Sequence, residues 1–411
     1  KNSNFIMIIK NCRNCKSSTL TKLFSLGKMS FTGKFEKDGS KVKSGFLSLV
    51  ICKTCKLVQL DRTFNLKYLY NKDYGYRSGV NLTMKNHLKK ITLEAKKFVN
   101  LKKNDLVLDI ASNDATLLNY YKSDLVKVGV DPILNKFRKY YKNINYKFSS
   151  FFDLNKLNHK VFKKKFKVIT ALSVFYDLNN PNKFLKDVSE ILDKNGIFIL
   201  EFADLKSIIK NNIFDTICHE HLEYYSVYVV KNMIEKNDLE IVDYKTNDIN
   251  GGSSTFFISK KNSHFKRKSK KIKKAIIIER RIGLEDPKFY KEYFNRINKI
   301  GLRINKFLIS EKKKNKVIHC YGASTKGNVL LQFFKLKKYF DFVCDRNPAK
   351  YGLRTPGTNL EIISEKESRS KKPDIYFVLP WHFKNEILKR EKKIRKLGTK
   401  FIFPLPFFKI I

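Results

Sequence analysis

The sequence predicts an α/β protein in which a Rossmann-like core follows a small metal-binding domain and precedes a second, smaller Rossmann-like α/β domain. Three observations carry this. Two Cys-x-x-Cys pairs, Cys12/Cys15 and Cys52/Cys55, stand near the N-terminus; short apolar runs alternate with helix-length polar stretches between residues 106 and 202; and the alternation restarts at Lys316. Strands that alternate with helices fold into a parallel sheet covered on both faces, because each crossover lays a helix against the sheet.

Composition sets the outer limits. At 411 residues and 42% hydrophobic content, the chain has enough apolar material for two or three domains. It carries 85 Lys and Arg against 38 Asp and Glu, a formal charge of +47, which alone points to nucleic acid or an anionic membrane. The lysines, however, run along the whole chain instead of forming an arm or patch. Lys, Asn, Ile, Phe and Tyr are abundant together while Gly is scarce, a joint skew that coding bias produces. A nucleic-acid partner is therefore not expected, whereas an anionic small substrate suits such a surface. No apolar run approaches the roughly 20 residues of a spanning helix, and the run at residues 5–9 lacks a small-residue cleavage site. The expectation is a cytoplasmic protein with no membrane partner.

Residues 1–75 form the first unit. Each Cys-x-x-Cys wraps one side of a tetrahedral ion, since two intervening residues let both thiolates point inward, and a reducing compartment favours metal over disulfide. Cys12, Cys15, Cys52 and Cys55 are thus expected to ligate a structural Zn2+, with residues 46–50 as a strand leading into the second pair. Four protein ligands leave no open position, so catalysis is expected elsewhere. Residues 76–262 make the core. Leu82, His87, Leu88, Ile91, Ala95, Phe98 and Val99 recur at helical spacing over 81–100. Strands are expected at 106–110, 127–130, 167–172 and 196–202, with a short helix at 116–121; strands at 239–245 and 254–259 flank Asn250-Gly251-Gly252 as an antiparallel hairpin. Residues 263–315, basic and poor in Gly and Pro, read as linking helices. Residues 316–411 read as the second Rossmann-like domain, with strands at 317–321, 340–344 and 374–379 and helices at 326–334 and 382–397.

Three segments carry chemistry. Asp109-Ile110-Ala111-Ser112-Asn113-Asp114-Ala115 runs from a strand into a turn of small residues, where backbone amides approach a bound cofactor closely. About 22 residues after Asp109 the next strand ends in Asp131, where an acidic side chain accepts both hydroxyls of a ribose. Asp109, Ala111, Ser112, Asn113, Asp114 and Asp131 are therefore cofactor-binding candidates. Ala111 and Ala115 stand where glycine is usual, and alanine disfavours positive φ. The spacing does not separate NAD from S-adenosylmethionine. Residues 215–226 pack His219, Glu220, His221 and Tyr224 between two strands. Histidine accepts a proton near neutrality and a neighbouring carboxylate orients it; His-x-His is also metal spacing, but no further ligand cluster lies close in sequence, which favours acid–base work. In residues 321–328, Tyr321, Gly322, Ser324, Lys326 and Asn328 join a strand to a helix whose free amides, with Lys326, suit a phosphate. The same turn reads equally as an ordinary strand-to-helix connection.

Taken in order, the paired Cys-x-x-Cys segment, the core, His219-Glu220-His221-Leu222, the 321–328 turn, Cys344-Asp345-Arg346-Asn347-Pro348, Pro356-Gly357-Thr358 and Leu379-Pro380-Trp381 resemble the sugar C-methyltransferases that act on nucleotide-linked 4-keto-sugars. The resemblance covers nearly the entire chain. It implies a zinc-stabilised N-terminal domain, a class I methyltransferase core binding S-adenosyl-L-methionine, and a C-terminal Rossmann-like domain, with Arg346 on its substrate side, that helps hold the nucleotide-sugar. It also implies His221 as the base, Glu220 as its electrostatic partner, and Tyr76 as the tyrosine reaching from the zinc domain toward the substrate. A base beside the ketone yields an enolate that attacks the sulfonium methyl, with Tyr76 or Tyr224 donating to the enolate oxygen and no metal in the chemical step. Two departures stand out: Cys218 replaces the tyrosine before the His-Glu-His triplet, and the histidine after the strand ending near Leu172 is replaced around Phe175-Tyr176-Asp177. An O-methyltransferase on a small glycan and a zinc-containing RNA methyltransferase or RNA-binding protein are the rival readings. The sugar, the carbon, the nucleotide and the oligomeric state are left open.

Overall fold

The computed structural model describes residues 6–70 and 74–411; residue 5, the first of the apolar run above, lies outside them. β1 (Leu20–Ser30), β2 (Ser44–Cys52) and β3 (Val58–Leu60) form an antiparallel sheet in which Leu20 faces Cys52 and Ser30 faces Ser44. β1 was not expected, because its lysines alternate with buried Phe24, Leu26 and Met29 over a length that reads as polar on average. Lys16 and Lys56, one residue past each cysteine pair, adopt left-handed φ of 63° and 64°, which turns the chain back so that the thiols of each pair converge.

The core begins with α1 (Leu82–Ala95) and continues as β4 (Leu106–Ile110), β5 (Val126–Val130), β6 (Tyr146–Phe148), β7 (Phe166–Leu172), α2 (Pro181–Ile191), β8 (Leu192–Ala203), β9 (Glu223–Tyr224), α3 (Val227–Lys236), β10 (Leu239–Asn247) and β11 (Ser253–Lys260). Seven of these strands make one sheet in the order β10-β11-β8-β7-β4-β5-β6, with β11 antiparallel to both neighbours. The central strands read as largely apolar runs because helices and loops cover both faces and bury most of their side chains. β9 is the exception. It leaves this sheet and pairs with β3 of the N-terminal unit, Glu223 opposite Gln59 and Tyr224 opposite Val58. Residues 116–121 supply only a 3-10 turn at Leu118–Tyr120, since left-handed Ala115 at φ 58° blocks a regular helix start there.

α4 (Ser269–Ile282) and the 27-residue α5 (Pro287–Lys313) lead to the last unit. α5 starts on an Asp286 cap with proline in its first turn and buries Tyr290, Tyr293, Ile297, Ile304 and Leu308 along one stripe. β12 (Ile318–Tyr321), α6 (Thr325–Phe333), β13 (Val343–Asp345), β14 (Ile362–Ser364), β15 (Ile375–Val378) and β16 (Lys400–Phe403) follow, in sheet order β14-β13-β12-β15-β16, these five parallel, with a short strand at Lys409–Ile410 pairing antiparallel with β16 at the edge. β14 and β16 escaped the sequence reading because runs of three or four residues carry little periodic signal. The helix expected over 382–397 is split into Lys384–Arg390 and Lys392–Lys396 around Glu391, whose buried carboxylate receives Tyr321 and Arg369.

The N-terminal and C-terminal units share one hydrophobic core, in which Phe24 of β1 stacks on Phe294 of α5 with ring centres 4.9 Å apart. Hydrogen bonds reinforce the contact: Gln332 of α6 accepts from Ser30 N and donates to Ser30 O, and Asn328 donates to Thr32 O. The seven-stranded sheet carries separate cores on its two faces. Among the described residues no helix is long and apolar enough to cross a membrane.

Candidate active site

A cavity of about 370 Å³ opens where the three units meet at the C-terminal ends of β4, β5, β7 and β12. Parallel strands present their free ends there, and neighbouring crossovers diverge, which leaves a cleft that ligands occupy. The turn after β4 forms one wall. Ala111, Asn113 and Ala115 hold φ of 60°, 50° and 58°, three left-handed residues within five, each about 1–2 kcal/mol above an ordinary conformation. The turn thus keeps the backbone path of a glycine loop, and Ala111 and Asn113 reach the cavity. Asp131 lines it too. Its carboxylate is fixed by the amides of Asn113 and Ile133, both at 2.8 Å, and burial pushes its pKa up to about 6. Pro132, Ile133, Phe151 and Phe152 beside it make an apolar slot. An oriented carboxylate next to such a slot fits the ribose and adenine of S-adenosylmethionine.

The other cofactor candidates are placed differently. Asp109 lies under the turn, where it accepts from Thr170 Oγ1 at 2.6 Å and is pushed up to about 7, by burial first and Asp131 second. Ser112 is bonded to Tyr141 at 2.8 Å, and Ser112 and Asp109 border a small side cavity. Asp114 accepts from the Gly79 amide and Asn113 from the Ser78 amide. These last two therefore fasten the segment that carries Tyr76, whose ring lines the main cavity and whose phenol is held up at about 12 by burial.

Only one histidine of the 219–221 triplet reaches the cavity. His221 Nδ1 lies 2.7 Å from the Thr216 carbonyl, which can only accept, so Nδ1 carries the proton and Nε2 keeps its lone pair. The ring packs against Tyr176 at 4.1 Å between centres. Burial, with a smaller contribution from Lys326, lowers its pKa to about 3. His219 points the other way: it is wedged between Phe31 and Phe64, with Nε2 3.2 Å from the Gly45 carbonyl, and fills core instead of meeting a ligand. Tyr224 is also turned inward, donating to the His221 carbonyl at 3.1 Å, which leaves Tyr76 as the cavity phenol of that pair. Glu220 faces the cavity but does not hold His221; a Cβ added to Gly33 would come within 2.4 Å of its Oε1, so glycine there is what admits the carboxylate.

The C-terminal wall corrects the phosphate reading in part. Lys326 lines the cavity, yet its ammonium donates to the Asn250 carbonyl at 2.8 Å and faces Asp215 and His221. Ser324 is occupied as the cap of α6, accepting from Gly327 N, and Asn328 is buried against Thr32 without reaching the cavity. Tyr321 and Gly322 line it; the Tyr321 hydroxyl lies 2.7 Å from Glu365 and 2.8 Å from both Glu391 and Arg390. Arg346 lines it as well and donates to Glu386, which also accepts from Thr83 at the start of α1.

The four cysteines converge outside the cavity lining. Their sulfurs all lie within 4.8 Å of one another, with Cys12 to Cys55 and Cys15 to Cys52 at 3.5 Å. A tetrahedral Zn2+ with Zn–S near 2.3 Å sets sulfurs about 3.8 Å apart, so the set fits the ion and is closed to other ligands. Arg13, inside the first pair, bonds to Leu60 O, Arg62 O and Thr63 Oγ1 and ties the metal corner to β3.

Known protein families match successive parts of the chain. The family description "Putative zinc binding domain" matches residues 12–70, "Methyltransferase domain" matches 81–244, and "C-methyltransferase C-terminal domain" matches 248–406. The C-methyltransferase NovU of Streptomyces niveus is 26% identical over 414 residues, spanning 98% of this chain and 97% of NovU. The chain is a methyltransferase that carries a C-methyltransferase C-terminal domain. Solved structures similar to part of it include an S-adenosylmethionine-dependent methyltransferase from Clostridium acetobutylicum ATCC 824 (16% identity, 42% of this chain, 91% of that one, TM-score 0.35). Another is magnesium protoporphyrin IX methyltransferase from Synechocystis PCC 6803 with bound SAH (14% identity, 44% and 88%, TM-score 0.34).

The C-methyltransferase is S-adenosylmethionine-dependent, and two of its cavity features escaped the sequence reading. His87 Nε2 lies 2.6 Å from Glu201, whose other oxygen accepts from Thr255 and Asn247, and both His87 and Glu201 line the cavity. A signal was present: a glutamate within the apolar run of β8 asks for buried partners. Asp177, read only as a departure, also faces the cavity.

Proposed function

We propose that this C-methyltransferase methylates a carbon beside the ketone of a nucleotide-linked keto-sugar, with His221 as the base. The observation that carries the reading is the His221 ring: one nitrogen is committed to the Thr216 carbonyl, and the other is an unprotonated acceptor in the cavity shared with the Asp131 turn. Asp131, Ala111 and Asn113 would hold S-adenosylmethionine, which when bound supplies an electrophilic methyl group for a carbanionic carbon.

His221 removes the proton from the carbon next to the ketone, the electrons move onto the carbonyl oxygen, and the developing charge is met by donors at the cavity wall. Tyr76 is one such donor and the Lys326 ammonium is another, the latter half-buried and without a carboxylate within ion-pairing distance among the described residues. A fixed donor in a dry site stabilises charge that appears only in the transition state. Gly322 and Arg346 line the side of the cavity suited to the nucleotide portion.

The deciding experiment is mass spectrometry of products from a panel of nucleotide-linked keto-sugars incubated with S-adenosylmethionine. In parallel, solvent deuterium exchange is followed at the carbon beside the ketone. Exchange and methylation are expected with the native enzyme and absent from His221→Ala. Methyl transfer to oxygen, or exchange that survives in His221→Ala, rejects the proposal.

A further inference from the structure

Arg13 stands between the first two cysteine ligands, yet its side chain leaves the metal corner. It is buried, and its donors run along residues 59–63: Nη1 to Gln59 Oε1 at 3.2 Å and Leu60 O at 2.8 Å, Nη2 to Arg62 O at 2.8 Å and Thr63 Oγ1 at 2.9 Å. The same strand carries β9. Glu223 faces Gln59 in the ladder, and Leu60 N donates to Leu222 O at 2.8 Å. Arg13 therefore grips the carbonyl of the residue whose amide holds Leu222, one position after His221. Its Nε lies 3.7 Å from Glu223 Oε1. Glu223 is buried, neither of its oxygens has a hydrogen-bond partner, and among the described residues no other cation stands within ion-pairing distance of it. A pair so fully removed from water is sensitive to the loss of either member, because the survivor is stranded in the interior. On the other side, Leu222 N donates to Tyr176 O at 2.7 Å, and the Tyr176 ring packs on His221. The segment that presents His221 to the cavity is thus clamped between Tyr176 and a strand held by Arg13.

We propose that Arg13 is a positioning residue for methyl transfer: from within the zinc knuckle it fixes β9, and with it the place where His221 meets the cavity. The inference rests on the reading of His221 as the base and adds a residue that lies outside the cavity lining. Zinc closes the knuckle, and the guanidinium carries that order across the ladder to the loop. Its planar fork serves carbonyls and a hydroxyl together while Nε stays directed at the carboxylate, a pattern that the single ammonium of lysine does not reproduce. Gln59 completes the link, accepting from Arg13 N at 3.1 Å and donating to Cys12 Sγ at 3.2 Å, so that metal ligand, arginine and the partner strand of β9 form one unit.

The test compares zinc-loaded, full-length Arg13→Met and Arg13→Lys with the native enzyme. Zinc content, S-adenosylmethionine affinity, hydrogen–deuterium exchange of peptides covering residues 215–226, and kcat and KM for a nucleotide-linked keto-sugar are measured on each. Arg13→Met is expected to keep its zinc and its cofactor affinity, while exchange at 215–226 rises at least about tenfold through local opening. Its kcat should fall by about 100-fold with KM changed far less, the scale set by a base displaced on the order of 1 Å. Arg13→Lys should fall between Arg13→Met and the native enzyme. Unchanged exchange at 215–226, native kcat in Arg13→Met, or a loss of kcat no larger than the loss of bound zinc or cofactor overturns the proposal. Should Arg13→Met not fold, Glu223→Gln decides in its place: faster exchange and lower kcat with zinc retained support the proposal, and native values overturn it. If the native enzyme methylates no keto-sugar, the keto-sugar reading falls, and the exchange measurement alone decides whether Arg13 holds the loop.

Discussion

His221 and His219 are two residues apart and do opposite jobs, and each makes its own prediction. Both are held near pKa 3, chiefly by burial, and both therefore stay neutral in the folded state. The unfolded chain takes up a proton on each below about 6.5, so their contribution makes stability rise with pH between about 3 and 6.5, by about 1.4 kcal/mol per pH unit per group. His219→Phe should flatten that acid side in denaturant titrations repeated across pH and leave methyl transfer largely intact. Lys326 acts on His221 through charge. In Lys326→Met the imidazole is easier to protonate, so the acid limb of kcat/KM should move to higher pH, and an unmoved limb would show that the ammonium has no hold on the base. The pattern His-Glu-His was legible in the sequence. Which histidine faces the cavity was not, because that depends on Phe31 and Phe64, which lie far away along the chain and pack against the His219 ring.

At the level of elements, the β4 turn and the cysteine corner were legible because each is local: a strand, a small-residue turn and an acid at fixed spacing, or two pairs of ligands. The same locality failed for β9, a two-residue strand whose partner lies more than 150 residues earlier. The left-handed turn predicts that Ala111→Val, a β-branched residue at φ 60°, weakens cofactor binding measurably by calorimetry, whereas Ala111→Gly retains it. β9 predicts a link between metal and catalysis. Stripping Zn2+ with a chelator, or Cys52→Ser, should loosen β3 and with it the 215–224 loop. The expected outcome is methyl transfer lost more steeply than S-adenosylmethionine binding, with new proteolytic cleavage between residues 215 and 224.

Taken whole, the molecule is less separable than its three-part sequence suggests. The division into successive units is readable in the chain, but the shared core of β1 with α5 and α6 is not, since both faces look like ordinary amphipathic surfaces until they meet. A fragment ending at residue 262 exposes that face of β1 and is expected to aggregate, which light scattering of the purified fragment checks. The chain's single tryptophan, Trp381, is buried and donates to Asp215 at 2.8 Å across the junction of core and C-terminal unit. Its emission therefore reports on that junction alone. Asp215→Asn should shift the emission and lower stability by roughly 1–3 kcal/mol.

The pairing of β9 with β3 also bears on how such chains can be recombined. A crossover near residue 75 would graft the metal corner of one relative onto the core of another, and it would separate two halves of a sheet that were selected together, along with Gly33 and the glutamate it accommodates. Chimaeras in this family should work only when the first 70 residues travel with residues 215–224 from the same parent, so acceptor preference is inherited as a linked pair of segments and not as a single module.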